Sequence, residues 1–392
     1  MKLSSRLDLV KPSSTMAVTA KVLELKAAGR DVIGLAAGEP DFDTWPHVCE
    51  AAHGSIARGD FRYTAVSGSP ELKEAVAAKL ERDNGLGYAP SEIIASCGGK
   101  HSLYNVMQAL FGEGDEVVVP GPYWVSYVDM VALAGATPKV VMGSEADGFK
   151  LRPEDLEAAI GPATRAVIIN SPSNPTGAAY SGEEMAALAA VLARNDCWVI
   201  SDDVYEMIRY DGARPDHLFK MEPGLRERGV LCNSVSKTYA MTGWRIGYTA
   251  APAPVVKAMG TLQGQSTSNP TAVAQAAAAA ALSGPQDELE GMVAEFRNRR
   301  DYVCERIAAI DGLSVGVPEG AFYVFVNVAG ALEAKGLADG DAFAMAVLEN
   351  ASVGVVGGND FGSTEHIRIS YATSMENLEQ SLDRIGSWLA SD

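Results

Sequence analysis

Histidine and cysteine are scarce in this chain of 392 residues: five of each. The cysteines, Cys49, Cys97, Cys197, Cys232 and Cys304, are odd in number, far apart and in no CxxC pair. That excludes a disulfide frame, argues against a zinc site, and fits free thiols in a reducing compartment. No HExxH is present, so no metal ligand set is expected. No apolar run approaches the 18 residues of a membrane span. The longest such tract, Ala272 to Leu282, is broken by Gln275. The first ten residues lack a signal-peptide core. Positive charge is also short, with Lys+Arg 32 against Asp+Glu 50, a net charge of −18. Phosphate backbones and anionic lipid would repel such a surface, which excludes nucleic-acid and membrane partners. A cytoplasmic protein with enough apolar material for a large core is expected, 47% being hydrophobic.

Along the chain, helix-like stretches alternate with short apolar strands. Helices are predicted at Glu71–Asp83, Lys100–Leu110, Pro122–Leu133 and Gly182–Arg194. Strands are predicted at Ile93–Ser96, Glu116–Val119, Lys139–Met142, Ala166–Asn170, Cys197–Ser201, Val230–Asn233 and Trp244–Ala250. Unbroken runs such as Val117-Val-Val119 and Val167-Ile-Ile169 are expected where helices cover both faces of a parallel sheet. The pattern changes after Gly284-Pro285. A long charged helix, Asp287–Ile310, leads into Leu313–Val317, Ala321–Val328, Asp341–Asn350, Val353–Val356, His366–Ser370 and a terminal helix. The expected fold is α/β, a large domain whose seven-stranded, mostly parallel sheet lies between helices, plus a smaller α+β domain. The boundaries read as an N-terminal segment (1–45) packing with the small domain, a large domain (46–284) and a small C-terminal domain (285–392).

Chemistry concentrates where strands end. Ser234-Val-Ser-Lys237 follows one strand, and Arg245 lies eight residues on. In open α/β sheets ligands bind at the carboxyl ends of strands. Two hydroxyls, a guanidinium and an amine suit a phosphate-bearing aldehyde, with Lys237 forming the Schiff base. A surface loop with an incidental lysine has the same short spelling. Ser201-Asp-Asp-Val-Tyr205 follows another strand. Asp202 reads either as a helix cap or as a buried acid paired with a ring nitrogen, with Tyr205 reaching a neighbouring ring substituent. Asn170-Ser-Pro-Ser-Asn-Pro-Thr-Gly177 is a rigid turn that fixes Asn174, and Asn174–Pro175 and Gly121–Pro122 are expected to be cis. Cys97-Gly-Gly-Lys100 runs from strand to helix, so backbone N–H groups at Gly99 and Lys100 offer an anion site. It is neither GxGxxG nor a Walker loop, and a nucleotide is not indicated. Trp124 is either core or a stacking surface. Tyr63 and Arg368 read singly as surface residues.

Taken in chain order, these pieces resemble the class I aminotransferases among the fold-type-I pyridoxal 5′-phosphate enzymes. The match extends from Lys11-Pro-Ser-Ser-Thr15 and Ala37-Gly-Glu-Pro-Asp-Phe-Asp43 to Arg368-Ile-Ser-Tyr-Ala-Thr373. It is most similar to the bacterial aspartate/prephenate branch. The resemblance implies transfer of an amino group between an L-amino acid (aspartate or glutamate, with aromatic acids accepted) and a 2-oxo acid, by a ping-pong mechanism. A lyase or synthase using the same cofactor and fold is the alternative. It further implies that Lys237 holds the cofactor and moves the proton. Asp202 pairs with the pyridine nitrogen, Tyr205 and Asn174 bind the phenolic oxygen, and Trp124 stacks on the ring. Gly99, Lys100, Ser234, Ser236 and Arg245 hold the phosphate. Tyr63 serves the partner subunit of a homodimer with shared sites. Arg368 takes the substrate α-carboxylate with Asn174 and Gly38. No arginine lies between Arg245 and Arg297, where one related branch keeps the residue for the distal carboxylate. Lys100, with Thr15 nearby, is then the candidate. Gly357 stands where relatives usually carry proline, and a looser loop over the pocket is expected there.

Overall fold

The computed structural model describes residues 3–12, 14–212 and 216–391. Ser13 of the Lys11–Thr15 stretch lies outside them. The central sheet has seven strands in the order Ile93–Ser96, Gly247–Ala250, Gly229–Ser234, Trp198–Asp202, Thr164–Asn170, Glu116–Gly121 and Thr137–Met142. Only Gly247–Ala250 runs against its neighbours. The other pairings, from Gly229–Ser234 outward, are parallel. Asn170, Asp202 and Ser234 are therefore last residues of strands that end on one edge.

The apolar runs explain the layering. Side chains alternate across a strand, so Val118, Val167, Ile169 and Val199 enter one core, while Val117, Val119, Ala166, Ile168 and Ile200 enter another. Helices Gly99–Leu110, Ser126–Leu133 and Ala253–Gly264 cover the second face through Val106, Met107, Met130, Val131 and Met259. Helices Pro46–Arg58, Pro70–Lys79, Gly182–Ala193 and Ala272–Ser283 contribute to the first. Burying one such valine or isoleucine stabilises the fold by roughly 1.5–3 kcal/mol.

A four-stranded sheet follows in the order Val356–Gly357, His366–Ser370, Tyr323–Asn327 and Ser314–Val315, with antiparallel neighbours. Arg368 sits across from Phe325 on one side and Val356 on the other. Ile33–Gly34 pairs in parallel with Val353–Gly354, and Asp41 meets Arg299 of the helix Asp287–Ala308 at 2.7 Å.

Several expectations change in detail. Trp244 is not in a strand; Thr242–Trp244 forms a short turn that leads to Arg245, and pairing starts at Gly247. Pro122 to Val125 stay outside the helix, which begins at Ser126. Val353–Val356 splits into two short strands with different partners. Gly357 does not loosen a loop. It is paired with Ile367, and a Cβ there would lie 1.9 Å from Asp341 Oδ1, so the position is closed by the start of the helix Gly340–Asn350. Both expected cis peptides are present, with a third at Ser171–Pro172.

Buried Gln275, the polar break in the alanine-rich tract, belongs to the helix Ala272–Ser283. Its Nε2 donates to Thr64 Oγ1 (3.0 Å) and Pro270 O (2.7 Å), and its Oε1 accepts from the Ser69 N–H (2.6 Å). Buried Gln263 donates to Val66 O (2.7 Å) and Ala95 O (2.9 Å). Two amides thus hold the segment that carries Tyr63.

Candidate active site

The strand ends open into a cavity of about 230 Å³ whose walls include Gly38, Gly99, Lys100, Trp124, Asn174, Asp202, Tyr205, Ser234, Ser236, Lys237, Arg245 and Arg368. Every site residue expected from the sequence is in this wall except Tyr63, which is 90% exposed and lies elsewhere on this chain.

One end of the cavity is built for an anion. Helix Gly99–Leu110 starts there, and its first N–H groups have no partner within the helix. Gly98 has φ 93, and a Cβ on it would meet the Arg245 guanidinium at 2.2 Å. Only glycine admits both that backbone and that approach. Gly247 has the same role from the sheet side, since a Cβ there would fall 2.4 Å from Gly98 C. Ser234 and Ser236 are buried at the end of the neighbouring strand. The Ser234 N–H bonds Asn233 Oδ1 (2.7 Å), and Ser234 Oγ accepts from the Ser236 N–H (3.3 Å). Arg245 takes a left-handed backbone at φ 59, a conformation costing a non-glycine residue about 1 kcal/mol or more. Among the described residues it bonds carbonyls, Thr242 O at 2.7 Å and Cys97 O at 3.4 Å.

Asp202 lies at the floor, buried. Its Oδ2 accepts from Tyr127 Oη at 2.5 Å, and its backbone carbonyl accepts from Asn170 Nδ2 at 2.8 Å. Burial is the main cause that pushes its carboxyl up to about 6, aided by Asp203 and opposed by the Tyr127 hydrogen bond. Asn170 Oδ1 also receives the Asn174 N–H (3.1 Å), so one side chain ties the Asn174 turn to the Asp202 strand.

Lys237 donates its Nζ to Gly38 O. Burial lowers its pKa to about 8, and Arg368, Arg245 and Lys100 push the same way against Glu39. A lysine so placed holds an appreciable free-amine fraction near neutral pH and is a competent nucleophile.

Arg368 is buried with no carboxylate partner among the described residues. Nη1 donates to Asn174 Oδ1 (3.0 Å) and Nη2 to Ala36 O (2.8 Å), while Nε has no partner. Its guanidinium carbon rests 4.5 Å from the Tyr323 ring centroid and 5.2 Å from that of Phe361. Lys100 reaches over Trp124, 4.9 Å from the ring centroid, and desolvation with Arg245 repulsion lowers its pKa.

Sequence reasoning did not find Tyr127 or Tyr323. Tyr323 Oη lies 2.7 Å from Tyr205 Oη. The local signals, an aromatic three residues after Trp124 and Phe322-Tyr323 in a strand, do not distinguish a site residue from core packing.

A sheet open at its carboxyl edge thus brings an anion pocket on a helix start, a buried acid and a lysine of lowered pKa into one cavity. The model of aminotransferase class I and II matches residues 30–385, and the chain belongs to that family. It is 51% identical to the aspartate/prephenate aminotransferase of Cereibacter sphaeroides, covering 99% of this chain and 98% of that one. It is 47% identical to the aspartate aminotransferase of Geobacillus stearothermophilus, with 98% of each covered. The crystal structure of the aspartate aminotransferase from Rhizobium meliloti superposes with a TM-score of 0.95 at 45% identity over 99% of both chains. That of Thermus thermophilus with maleate gives 0.94 at 42% over 99% of both. The chain is an aminotransferase.

Proposed function

We propose that the enzyme transfers the amino group of aspartate or glutamate to a 2-oxo acid, with pyridoxal 5′-phosphate at the strand ends and aromatic acids as secondary substrates. The observation that carries this reading is the pairing of opposites across Lys237: a buried acid at Asp202 and a buried, acid-free guanidinium at Arg368.

The residues fit the cofactor. A buried carboxyl with only neutral donors, Tyr127 Oη and the Val204 N–H, calls for a cationic N–H such as a protonated pyridine. The glycine-lined helix start, Ser234, Ser236 and Arg245 suit a phosphate dianion. The orphaned Arg368 Nε suits a carboxylate. When bound, the cofactor supplies an aldehyde for the amine and a ring that takes up the electron pair released at Cα. Lys237 then carries the proton to and from Cα. Asp202 keeps the ring nitrogen charged. Tyr205 and Asn174 hold the phenolic oxygen, and Trp124 covers the ring. Arg368, Asn174 and the Gly38 backbone orient the α-carboxylate.

Lys100 is the cation for a second carboxylate, with Thr15 beside it in the cavity wall. An unpaired carboxylate in a closed pocket is costly, and a flexible ammonium discriminates less sharply than a guanidinium fork. Aspartate given alone should release one equivalent of oxaloacetate per site without ammonia. Steady ammonia release would favour elimination, which the relatives do not support. In the same half-reaction, Lys100→Ser should lose about tenfold in rate constant over KM for aspartate, near 1.4 kcal/mol, and little for phenylalanine. An equal change for both removes the role of Lys100.

Tyr63 belongs to the phosphate site of a second copy, which makes the unit a homodimer. Its 90% exposure, beside Phe61 at 70% and Ile56 at 50%, supports this reading. Sedimentation at assay concentration should show a dimer, and a fully active monomer would remove it. The division at 1–45, 46–284 and 285–392 is part of the proposal and draws support from the Ile33–Gly34 pairing with Val353–Gly354. A cytoplasmic location is supported by five unpaired cysteines. Among the described residues no helix is long and apolar enough to cross a membrane.

A further inference from the structure

We infer that Tyr323 is a positioning residue that couples the cofactor-side phenol, Tyr205, to the carboxylate clamp, Arg368. The inference rests on the proposed function and assigns one part of Tyr323 to each partner.

Tyr323 opens the strand Tyr323–Asn327 of the four-stranded sheet, whereas Tyr205 follows the strand Trp198–Asp202 of the central sheet. Both are buried. Their hydroxyls meet at 2.7 Å, and their rings pack edge to face at 5.8 Å. Tyr323 is thus a polar link between the two sheets inside the site. Its ring lies under the Arg368 guanidinium, 4.5 Å from its carbon, and a cation over an aromatic face is held in place by the ring quadrupole. Its hydroxyl also lies close to the backbone at Gly38, where a Cβ would come 2.9 Å from Tyr323 Oη. Burial pushes both phenols up, so each stays protonated at neutral pH and each retains one hydrogen to donate.

Two phenols in contact have two hydrogens, and only one is needed between them. When Tyr323 donates to Tyr205, the Tyr205 hydrogen is free for an acceptor in the cavity. Chained hydrogen bonds polarise one another, so Tyr205 becomes the stronger donor. A stronger donor toward the cofactor's phenolic oxygen would favour its anionic form and lower the proton affinity of the Lys237 nitrogen that holds the cofactor. The ring face acts separately, by fixing the plane of Arg368.

The test separates hydroxyl from ring in the cofactor-loaded enzyme. Tyr323→Phe removes the hydroxyl alone, and Tyr323→Leu removes both. The absorbance of the bound cofactor is titrated with pH, and maleate serves as a dicarboxylate probe of Arg368. In Tyr323→Phe the titration midpoint should rise by about half a unit, with the maleate Kd within about twofold of wild type. In Tyr323→Leu the maleate Kd should rise as well, by about fivefold or more. An unmoved midpoint in Tyr323→Phe overturns the inference, as does an equal maleate loss in the two variants. A wild-type enzyme showing no lysine-bound cofactor absorbance would instead overturn the function on which the inference rests.

Discussion

Replacing Lys237 with alanine should lower turnover by at least ~10⁴-fold, about 5.5 kcal/mol of barrier, because in the proposed reaction one side chain supplies both the covalent anchor and the proton carrier. The remaining anion pocket should still bind the cofactor loosely. Borohydride should fix it to Lys237 in the wild type and to nothing in the variant. A label found on another lysine would sink the assignment. Protonation adds a second check on the same residue. Its pKa is depressed to about 8 by burial, so the reactive amine is the minor form at lower pH. Cofactor uptake by stripped enzyme should therefore rise about tenfold per unit as pH increases toward 8 and level off above it. A lysine facing solvent would continue to gain up to its ordinary range above 10. A plateau there would contradict the environment described for Lys237.

Arg368→Gln should lower kcat/KM by roughly 10²–10³, about 3–4 kcal/mol, and by the same factor for aspartate and phenylalanine. Both amino acids carry the α-carboxylate, so loss of its partner cannot favour one. This distinguishes Arg368 from Lys100, whose removal should matter only where a second carboxylate exists. Arg368→Lys should restore little. Lysine returns the charge, but it lacks the planar fork now spanning Asn174 Oδ1 and Ala36 O. Equal-and-small effects, under tenfold for both substrates, would mean that the α-carboxylate lies elsewhere.

The central-sheet strands that carry the site were legible because both of their faces are apolar, and His366–Ser370 because its polar and apolar residues alternate. Ile93–Ser96 and His366–Ser370 occur where the sequence places them, and the other central-sheet strands differ at their ends by a residue or two, except Trp244–Ala250, which begins only at Gly247. The helices Pro46–Arg58 and Ala253–Gly264 were not read, since Pro-His-Val and Ala-Pro-Val starts resemble loop spelling even though proline is at home in a first turn. Trp244 was misplaced for a related reason: an aromatic between glycines looks like a strand entry, and the turn around Arg245 depends on tertiary contacts. Motif residues with a local signature, such as Ser234-Val-Ser-Lys237, could be found. Tyr127 and Tyr323 could not, because each acts on a partner 75 and 118 positions away, respectively. Nothing in a window of ten residues distinguishes such a hydroxyl from core packing.

Gln275 has a thermodynamic consequence for the proposed association of two copies of this chain. By holding Thr64 and Ser69 from inside a helix, it removes the mobility of the intervening loop when the chain folds. Association ordinarily loses about 0.5–1.5 kcal/mol for each flexible side chain it immobilises. Tyr63, exposed but next to the held Thr64, incurs less of that loss at encounter. A glutamine that interrupts an otherwise apolar tract thus shifts an entropic penalty from assembly to folding. Affinity in the proposed dimer would then depend on a residue that neither surface displays.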